Sequence, residues 1–192
     1  MDREYHRCLV SYEKGLRQRN KLLSLIRDGM ANHSQLFFWD KLLIKNGEYI
    51  SLKRQEYLNR TDETDGTYKT YYDRSLISED RLNQYEIEEV ASATTLVGPH
   101  RDDFRINFDN KDISKFGSRG QQRMAVLWLK KGEIKYLGEN PILLLDDIFS
   151  ELDQKHKELV MNFVEEYSGQ VIATSAEEHL LLEKHNYQII KL

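Results

Sequence analysis

Two pieces of sequence, KFGSRGQQR at residues 115–123 and PILLLDDIFSELD at residues 141–153, decide the fold of this chain. The first is a glycine-containing loop that opens a helix, where free backbone N–H groups and the helix dipole favour a bound phosphate. The second is an apolar run that ends in two carboxylates, Asp146 and Asp147. Acids at the carboxyl end of a buried strand lie where open α/β sheets bind ligands. Together the two pieces predict a nucleotide site that uses Mg²⁺.

Each piece also has a simpler interpretation. The glycine loop can be a plain turn in which Ser118 caps the helix, and the acidic pair can cap a neighbouring helix. Asp153 can likewise be the N-cap of a helix that begins at Gln154. The order and spacing of the two pieces favour the nucleotide interpretation. No Gly in the chain is followed by Lys, so the phosphate loop G-x-x-x-x-G-K-[ST] is absent and these pieces supply one half of a nucleotide site.

Composition and charge limit the class of protein. The chain has 192 residues, 40% hydrophobic and 31% charged, with no apolar run near the roughly 20 residues of a membrane helix. The polar N-terminus has no signal-peptide pattern, and the lone Cys8 excludes an internal disulfide, so we expect a cytoplasmic protein.

Charge is distributed unevenly along the chain. Residues 1–60 carry 12 Lys and Arg against 7 Asp and Glu, a net charge of +5, whereas the remainder carries 16 against 25, a net charge of −9. The basic part is either a DNA-binding surface, with Arg17, Arg19 and Lys21 as candidates, or ordinary solvated helix faces.

The spacing of apolar residues predicts a helical N-terminal part. A helix is expected over 3–27, a second over 34–45 that ends at Asn46-Gly47, and a third over 49–60. The polar residues 61–66 form the clearest internal boundary. Short links between the helices predict a small antiparallel bundle.

The rest of the chain alternates strands and helices. The elements predicted from periodicity and turn residues are strand 67–72, helix 79–90, strand 104–108, hairpin turn 109–112, helix 121–137, strand 142–145, helix 154–167, strand 171–173, helix 176–184 and strand 187–192. The continuous apolar run 142–145 is typical of a strand buried on both faces of a parallel sheet.

Three motifs in this order resemble the C-terminal half of the RecF family, bacterial DNA replication and repair ATPases related to the heads of SMC proteins. They are LVGPHRDD at 96–103, FGSRGQQR at 116–123, and LLLDD at 143–147 followed by SELD at 150–153. A weaker resemblance to the family's helical second domain lies in LRQRN at 16–20 and in Trp39-Asp40.

The resemblance implies an α/β fold: an ABC-ATPase-type C-terminal lobe, with a mostly parallel sheet and helices, preceded by an α-helical arm. The implied divisions are a helical arm over 1–66, the rest of the arm over 67–94 and the ABC-type lobe over 95–192.

The resemblance also implies roles for individual residues. Those that would contact ATP held by the opposite subunit are Ser118, Gly120, Gln121 and Asp153, from the ABC signature and the D-loop. Asp146 matches the Walker B magnesium ligand and Asp147 the catalytic carboxylate.

By the same resemblance, the cofactors are ATP and Mg²⁺, and the protein forms an ATP-dependent homodimer. It would bind single-stranded DNA and single-strand/double-strand junctions, and it would work with RecO and RecR in gap repair and the SOS response. No binding to a membrane is expected. Because the Walker A lobe is missing, we expect no ATP hydrolysis by this chain alone. The alternative is a non-catalytic adaptor that binds DNA or a protein partner.

Two further groups have open interpretations. His100 and Arg101 either belong to a turn held by an Arg–Asp pair or contact the nucleotide or DNA. Tyr68, Tyr71 and Tyr72 either pack as strand aromatics or stack on bases.

Overall fold

A computed structural model describes residues 2–62, 68–138, 140–176 and 188. It divides into two compact units, 1–110 and 111–192. The first, called here the helical unit, includes residues 95–110, which the sequence assigned to the ATPase lobe. The second, called the α/β unit, carries the signature-like loop and the acidic pair. Each unit is described by itself.

Two long antiparallel helices build the helical unit. Helix α1 spans Arg3–Arg27 as predicted, and its N-cap Asp2 accepts hydrogen bonds from the first-turn N–H groups. The further elements are helix α2 (Phe37–Asp62), strand β1 (Tyr68–Asp73), helices α3 (Glu79–Gln84) and α4 (Glu86–Ser92), and strand β2 (Asp103–Phe108). The buried core of the unit consists of Cys8, Tyr12, Leu43, Ile50, Ile77, Leu82 and Val97. The only cysteine is therefore a buried core thiol, in a free state.

The prediction that Asn46-Gly47 ends a helix was wrong, because α2 runs through both residues without a break. The Asn46 amide donates to the Leu42 carbonyl, one turn back, at 2.8 Å. A Cβ built on Gly47 would lie 2.9 Å from the Ile77 side chain and 3.2 Å from Pro99. Because Gly47 has no side chain, Ile77 and Pro99 can pack directly against the helix backbone. The glycine costs the helix about 1 kcal/mol of propensity relative to alanine.

The strand prediction around the tyrosines was correct. Strands β1 and β2 pair antiparallel, with Tyr68 opposite Phe108 and Tyr72 opposite Phe104. The rings of Tyr68 and Phe108 lie 5.5 Å apart, and the Tyr72 hydroxyl donates to Asp102. Aromatic strand packing therefore accounts for two of the three tyrosines. The single helix predicted over 79–90 was wrong in its continuity, because the segment breaks at Tyr85 into α3 and α4, which ends at Ser92.

The α/β unit begins with strand β3 (Lys111–Asp112) and the single-turn helix α5 (Ile113–Phe116). It continues with helix α6 (Arg119–Leu137), strand β4 (Leu143–Leu145), helix α7 (Gln154–Glu166) and strand β5 (Val171–Ala173). Strands β4 and β5 are parallel, with Leu145 opposite Ala173. Its core consists of Leu127, Leu143, Leu145, Phe149, Leu152, Val160 and Phe163. The order of α6, β4, α7 and β5 is the alternation of helices and strands that the sequence predicted. These elements follow a helical N-terminal region, also as predicted.

The prediction that β4 is buried on both faces was wrong for this chain. Leu143 and Leu145 are each 8% exposed, but Leu144 between them is 71% exposed. Alternate residues of a strand point to opposite faces, so the described elements of this unit cover one face of the two strands. The helix predicted over 176–184 and the strand over 187–192 lie almost wholly outside the described residues.

In the part of the chain that the structure describes, no helix is long and apolar enough to cross a membrane.

Candidate nucleotide-binding site

The signature-like loop forms the first turn of α6. Ser118 is the N-cap: its hydroxyl accepts from the Gln121 N–H at 3.2 Å, while the Gln121 side chain accepts from the Ser118 N–H at 2.9 Å. This reciprocal capping box satisfies two N–H groups that a helix start would otherwise leave unpaired. The simpler capping role predicted for Ser118 is therefore confirmed. The Ser118 side chain is still exposed, so its hydroxyl can also meet a ligand from outside the unit.

Gly120 is where α6 meets the segment after the acidic pair. It is buried, and a Cβ at this position would lie 3.4 Å from the Glu151 carbonyl oxygen and 3.7 Å from Leu152. One ion pair and one hydrogen bond join the same two segments. Arg119 pairs with the Glu151 carboxylate at 2.6 Å, and Arg123 donates to the Asp147 carbonyl at 2.7 Å. The helix start and the segment after the acidic pair are thereby held together.

The acidic pair follows β4 directly and is anchored by Thr174, which follows β5. The Thr174 hydroxyl donates to the Asp146 carboxylate at 2.6 Å and accepts from the Asp147 N–H at 2.9 Å. Because the strands are parallel and in register, their carboxyl ends lie at one edge and bring these residues together. Asp147 has φ +46°, a left-handed backbone that is unusual for a residue with a side chain. Such strain often marks functional sites.

Asp153 is the N-cap of α7, as its simpler interpretation predicted. Its carboxylate accepts from the His156 backbone N–H at 2.9 Å and lies 2.7 Å from His156 Nδ1. The backbone hydrogen bond, followed by the contact with the His156 ring, lowers the pKa of the Asp153 carboxyl. Asp153 is therefore ionised at neutral pH, and its exposed side chain can also receive a donor from another molecule.

Between α6 and the end of β4 lies an open groove of about 570 Å³. Three cations, Arg119, Arg123 and Lys130, line it together with Asp146 and Glu151. The groove thus combines the cations that would attract a phosphate with a carboxylate that would hold a metal.

The residues present fit a Mg²⁺ ion that arrives with a nucleotide. Mg²⁺ in nucleotide enzymes takes one or two carboxylates, substrate phosphates and water. One Asp146 oxygen accepts from Thr174, which orients the carboxylate and leaves the other oxygen available. Within the described ranges, no cluster of three or more His, Cys, Asp or Glu side chains is arranged for a metal.

The GPHRDD segment lies in the helical unit and forms a corner that α1 and α2 hold. His100 Nδ1 lies 2.8 Å from the Tyr12 hydroxyl, and its Nε2 lies 3.0 Å from the Thr95 carbonyl. A neutral ring satisfies both contacts when Nε2 donates and Nδ1 accepts. Burial is the main cause that lowers the pKa of His100 and raises that of Tyr12. Arg101 also donates to the Thr95 carbonyl, at 3.2 Å.

The Arg–Asp pair expected in this corner exists, but its arginine comes from α2. Asp102 pairs with Arg54 at 3.0 Å and accepts from the Ser75 N–H at 2.8 Å. Arg54 also donates to the Pro99 carbonyl at 2.5 Å. The corner interpretation of this segment is therefore supported. A contact of His100 or Arg101 with nucleotide or DNA stays a prediction.

The three basic candidates on α1 have different environments. Arg17 and Lys21 are exposed, but Arg19 is 2% exposed and pairs with Asp40 at 2.6 Å and with Glu89 at 2.7 Å. The prediction that Arg19 contacts DNA was wrong. Its side chain lies on the buried side of α1, where it pairs with residues of α2 and α4. The resemblance in LRQRN and Trp39-Asp40 thus includes both members of the Arg19–Asp40 ion pair, whose arginine is buried.

Sequence reasoning assigned no role to Thr174, Arg123 or Glu151. A signal for Thr174 was available, since two adjacent parallel strands end at one edge and the residues after them are neighbours. No comparable signal exists for Arg123 and Glu151, whose contacts depend on how α6 lies against the turn after β4.

Two comparisons, with curated proteins and with solved structures, indicate one family. A scan against family models finds no match. The chain is 36% identical to the DNA replication and repair protein RecF of Natranaerobius thermophilus over 86% of its own length and 51% of the relative. It is 33% identical to RecF of Agathobacter rectalis, over its whole length and 57% of that relative.

Solved structures give the same result. A structure of the recombination mediator protein RecF with ATP matches with a TM-score of 0.76 and 30% identity, over 92% of this chain and 54% of that one. The chain spans about half the length of the curated relatives it matches. The predicted RecF-like fold is confirmed. Over the part that it spans, this chain is a member of the RecF family.

Proposed function

We propose that this chain supplies the signature and Walker B half of a composite ATP site in a RecF-like DNA replication and repair protein. One ATP would lie between the Walker loops of one subunit and the exposed start of α6 in another. ATP would therefore act as a dimerisation switch. The observation that carries the proposal is the direct linkage of α6 to the acidic pair through Arg123–Asp147 and to the turn after the pair through Arg119–Glu151.

Within this site, each residue has a distinct task. Ser118, Gly120 and Gln121 would meet the γ-phosphate of an ATP bound by the opposite subunit, with Asp153 beside them. The free N–H groups at the helix start and the positive end of its dipole support this assignment.

The acidic pair would serve the metal and the attacking water. Asp146, oriented by Thr174, would hold Mg²⁺, which supplies charge neutralisation for the phosphates when bound. Asp147 would take the catalytic position, with its carboxylate near the attacking water. Its backbone N–H donates to the Thr174 hydroxyl, and its carbonyl accepts from Arg123.

The same proposal covers the partners. The full site would act in ATP-dependent binding of single-stranded DNA and of single-strand/double-strand junctions, in the cytoplasm, during recombinational gap repair and the SOS response. A matching solved structure is described as RecF in the RecFOR pathway, which supports RecO- and RecR-type partners.

The test is a chimera in which the segment of the Natranaerobius relative that lacks a counterpart here is joined ahead of Met1. We expect this chimera to hydrolyse ATP and to dimerise with ATP, whereas the 192-residue chain alone does neither. Turnover by the chain alone that disappears with Asp146→Asn would contradict the expectation.

A substitution at Ser118 separates the signature role from the capping role. Asp and Asn both cap helices well, so Ser118→Asp and Ser118→Asn preserve the start of α6. Only Asp places a negative charge opposite the γ-phosphate. We expect ATP-dependent dimerisation of the chimera to be lost with Ser118→Asp and retained with Ser118→Asn. Equal dimerisation by both variants would refute the role of Ser118 in trans.

The alternative is a non-catalytic adaptor that binds DNA or a protein through its helical unit. The net charge of +5 over residues 1–60 favours it. An adaptor would bind its partner equally well with and without ATP, and Asp147→Asn in the chimera would leave that binding unchanged.

A further inference from the structure

An exposed ion pair lies at the start of α6. The Arg119 guanidinium is 2.6 Å from one oxygen of the Glu151 carboxylate, and both side chains are exposed. Arg123, one turn further along the helix, is 4.0 Å from the other oxygen of the same carboxylate. An ion pair in such contact with water contributes little to stability, so another anion can replace Glu151 as the partner of Arg119 at little cost.

The backbone of Glu151 also lies against the helix start. A Cβ on Gly120 would be 3.4 Å from the Glu151 carbonyl oxygen. Glu151 has φ +61°, a left-handed conformation that is uncommon for a residue with a side chain. This turn places a carboxylate beside the positive end of the α6 dipole, a position that favours negative charge. Glu151 therefore lies where a phosphate at the start of α6 would also bind.

Two backbone donors at the same helix start are available to a further anion. The capping box uses the N–H groups of Ser118 and Gln121. Among the residues that the structure describes, none accepts a hydrogen bond from the N–H group of Arg119 or of Gly120. A single phosphate group can accept from these two N–H groups and from the Arg119 guanidinium together.

We propose that the Arg119 side chain binds the γ-phosphate of an ATP held by the opposite subunit, and that Glu151 competes with this phosphate for Arg119. The inference rests on the proposed composite ATP site and adds to it a cation and an internal competitor. Without a γ-phosphate, Glu151 holds Arg119. With ATP, Arg119 leaves Glu151 for a group that has more negative charge and three acceptor oxygens. Glu151 thereby raises the ATP concentration that dimerisation requires.

A purely structural role for the pair predicts a different result. If Arg119 and Glu151 only hold α6 against the turn after the acidic pair, removal of either partner loosens the same contact and weakens dimerisation. In a competition the two substitutions act in opposite directions. Loss of Arg119 removes a donor to the phosphate, whereas loss of the Glu151 charge frees that donor. The sign of the Glu151 effect therefore separates the two roles.

The test measures the ATP concentration at which half of the chimera described above is dimeric, by light scattering at a fixed protein concentration. Arg119→Gln should raise this concentration about tenfold, the loss expected for a hydrogen bond to a charged group, and Arg119→Lys should restore part of it. Glu151→Gln should lower it about two- to fivefold, as expected when an exposed ion pair no longer has to be broken. With ADP, which lacks the γ-phosphate, every variant should stay monomeric.

A double variant shows whether Glu151 acts through Arg119. In the Arg119→Gln background, Glu151→Gln should bring no gain, because no guanidinium remains to be released. The matched controls are Lys53→Gln and Glu56→Gln, which remove the same charges from another partly exposed ion pair, at 2.7 Å within α2. Neither control should change the half-maximal ATP concentration.

In a chimera that dimerises with ATP, three results would overturn the proposal. They are an Arg119→Gln variant that dimerises as readily as the unaltered chimera, a Glu151→Gln variant that dimerises no more readily, and an equal gain from Glu151→Gln with and without Arg119. The last would assign Glu151 to plain repulsion of the phosphate. All three leave the composite ATP site intact, because ATP still drives dimerisation. A chimera that does not dimerise with ATP contradicts the composite site and this inference together.

Discussion

Arg19 in the helical unit and Arg119 in the α/β unit each meet a carboxylate at 2.6 Å, but in opposite environments. The Arg19 side chain is 2% exposed, whereas that of Arg119 is 80% exposed. The same contact geometry therefore serves two purposes. The buried Arg19 joins three elements of the helical unit, because it pairs with Asp40 of α2 and also with Glu89 of α4. The exposed pair contributes little to stability and leaves its groups available to a ligand.

The difference extends through both units. In the helical unit, Asp102 and Thr95 are enclosed by several donors and acceptors. In the α/β unit, Ser118, Asp146 and Asp147 are all exposed. A polar network that is closed on itself maintains a fold, while one at a surface is placed to meet another molecule.

The comparison of the two arginines predicts the largest effect. Arg19→Met leaves Glu89 buried without its partner and should lower the free energy of unfolding of the helical unit by about 3–5 kcal/mol. Arg119→Met should lower that of the α/β unit by less than about 1 kcal/mol. Each unit has one tryptophan, so urea unfolding is followed by fluorescence in a Trp128→Phe background for the helical unit and a Trp39→Phe background for the other. Similar losses for both variants would refute the distinction.

The next largest difference in stability is expected between substitutions on the two faces of β4. Leu145→Ala removes a core side chain and should cost about 2–4 kcal/mol of the free energy of unfolding of the α/β unit. Leu144→Ala, its 71% exposed neighbour on the opposite face, should change it by no more than about 0.5 kcal/mol. The Trp128 fluorescence transition in urea measures both. A large cost for Leu144→Ala would mean that another surface covers that face in solution.

A smaller effect tests why α2 is continuous. Gly47→Ala should gain about 1 kcal/mol of helix propensity but crowd Ile77, Tyr12 and Pro99, at a cost of about 1–3 kcal/mol. We expect a net loss of about 1 kcal/mol in the helical unit. A rise in the urea midpoint would show that the neighbouring side chains yield to the added methyl group and that helix propensity outweighs the packing contact.

The smallest effect is a dependence on pH. Because burial keeps the folded pKa of His100 below its usual value of 6.5, protonation opposes folding. Its contribution to stability is complete above the unfolded pKa and is lost as the pH falls through the folded pKa. The melting temperature of the helical unit should therefore fall between pH 8 and pH 5, and His100→Gln should flatten part of that fall. An unchanged profile in His100→Gln would assign the pH dependence to other groups.

Much of the local structure could be predicted from sequence. The bounds of α1 were predicted to the residue, and the starts of α6 and α7 to within two. Periodicity and capping residues act within one or two turns of a helix, so the signal lies beside the residues that it describes. The Asn46-Gly47 error has the opposite origin, because Ile77 and Pro99, which contact Gly47, lie at least 30 residues away in the chain.

The sequence by itself determined the α/β order, the caps at Ser118 and Asp153, and the family, because each depends on residues that are neighbours along the chain or on motifs in a characteristic order. Only the tertiary structure decided that Arg19 is buried while Arg17 and Lys21 are exposed, and that Thr174 anchors the acidic pair. A helix places residues two apart about 200° around its axis. Which side of the helix is covered, and by what, depends on the elements that pack against it.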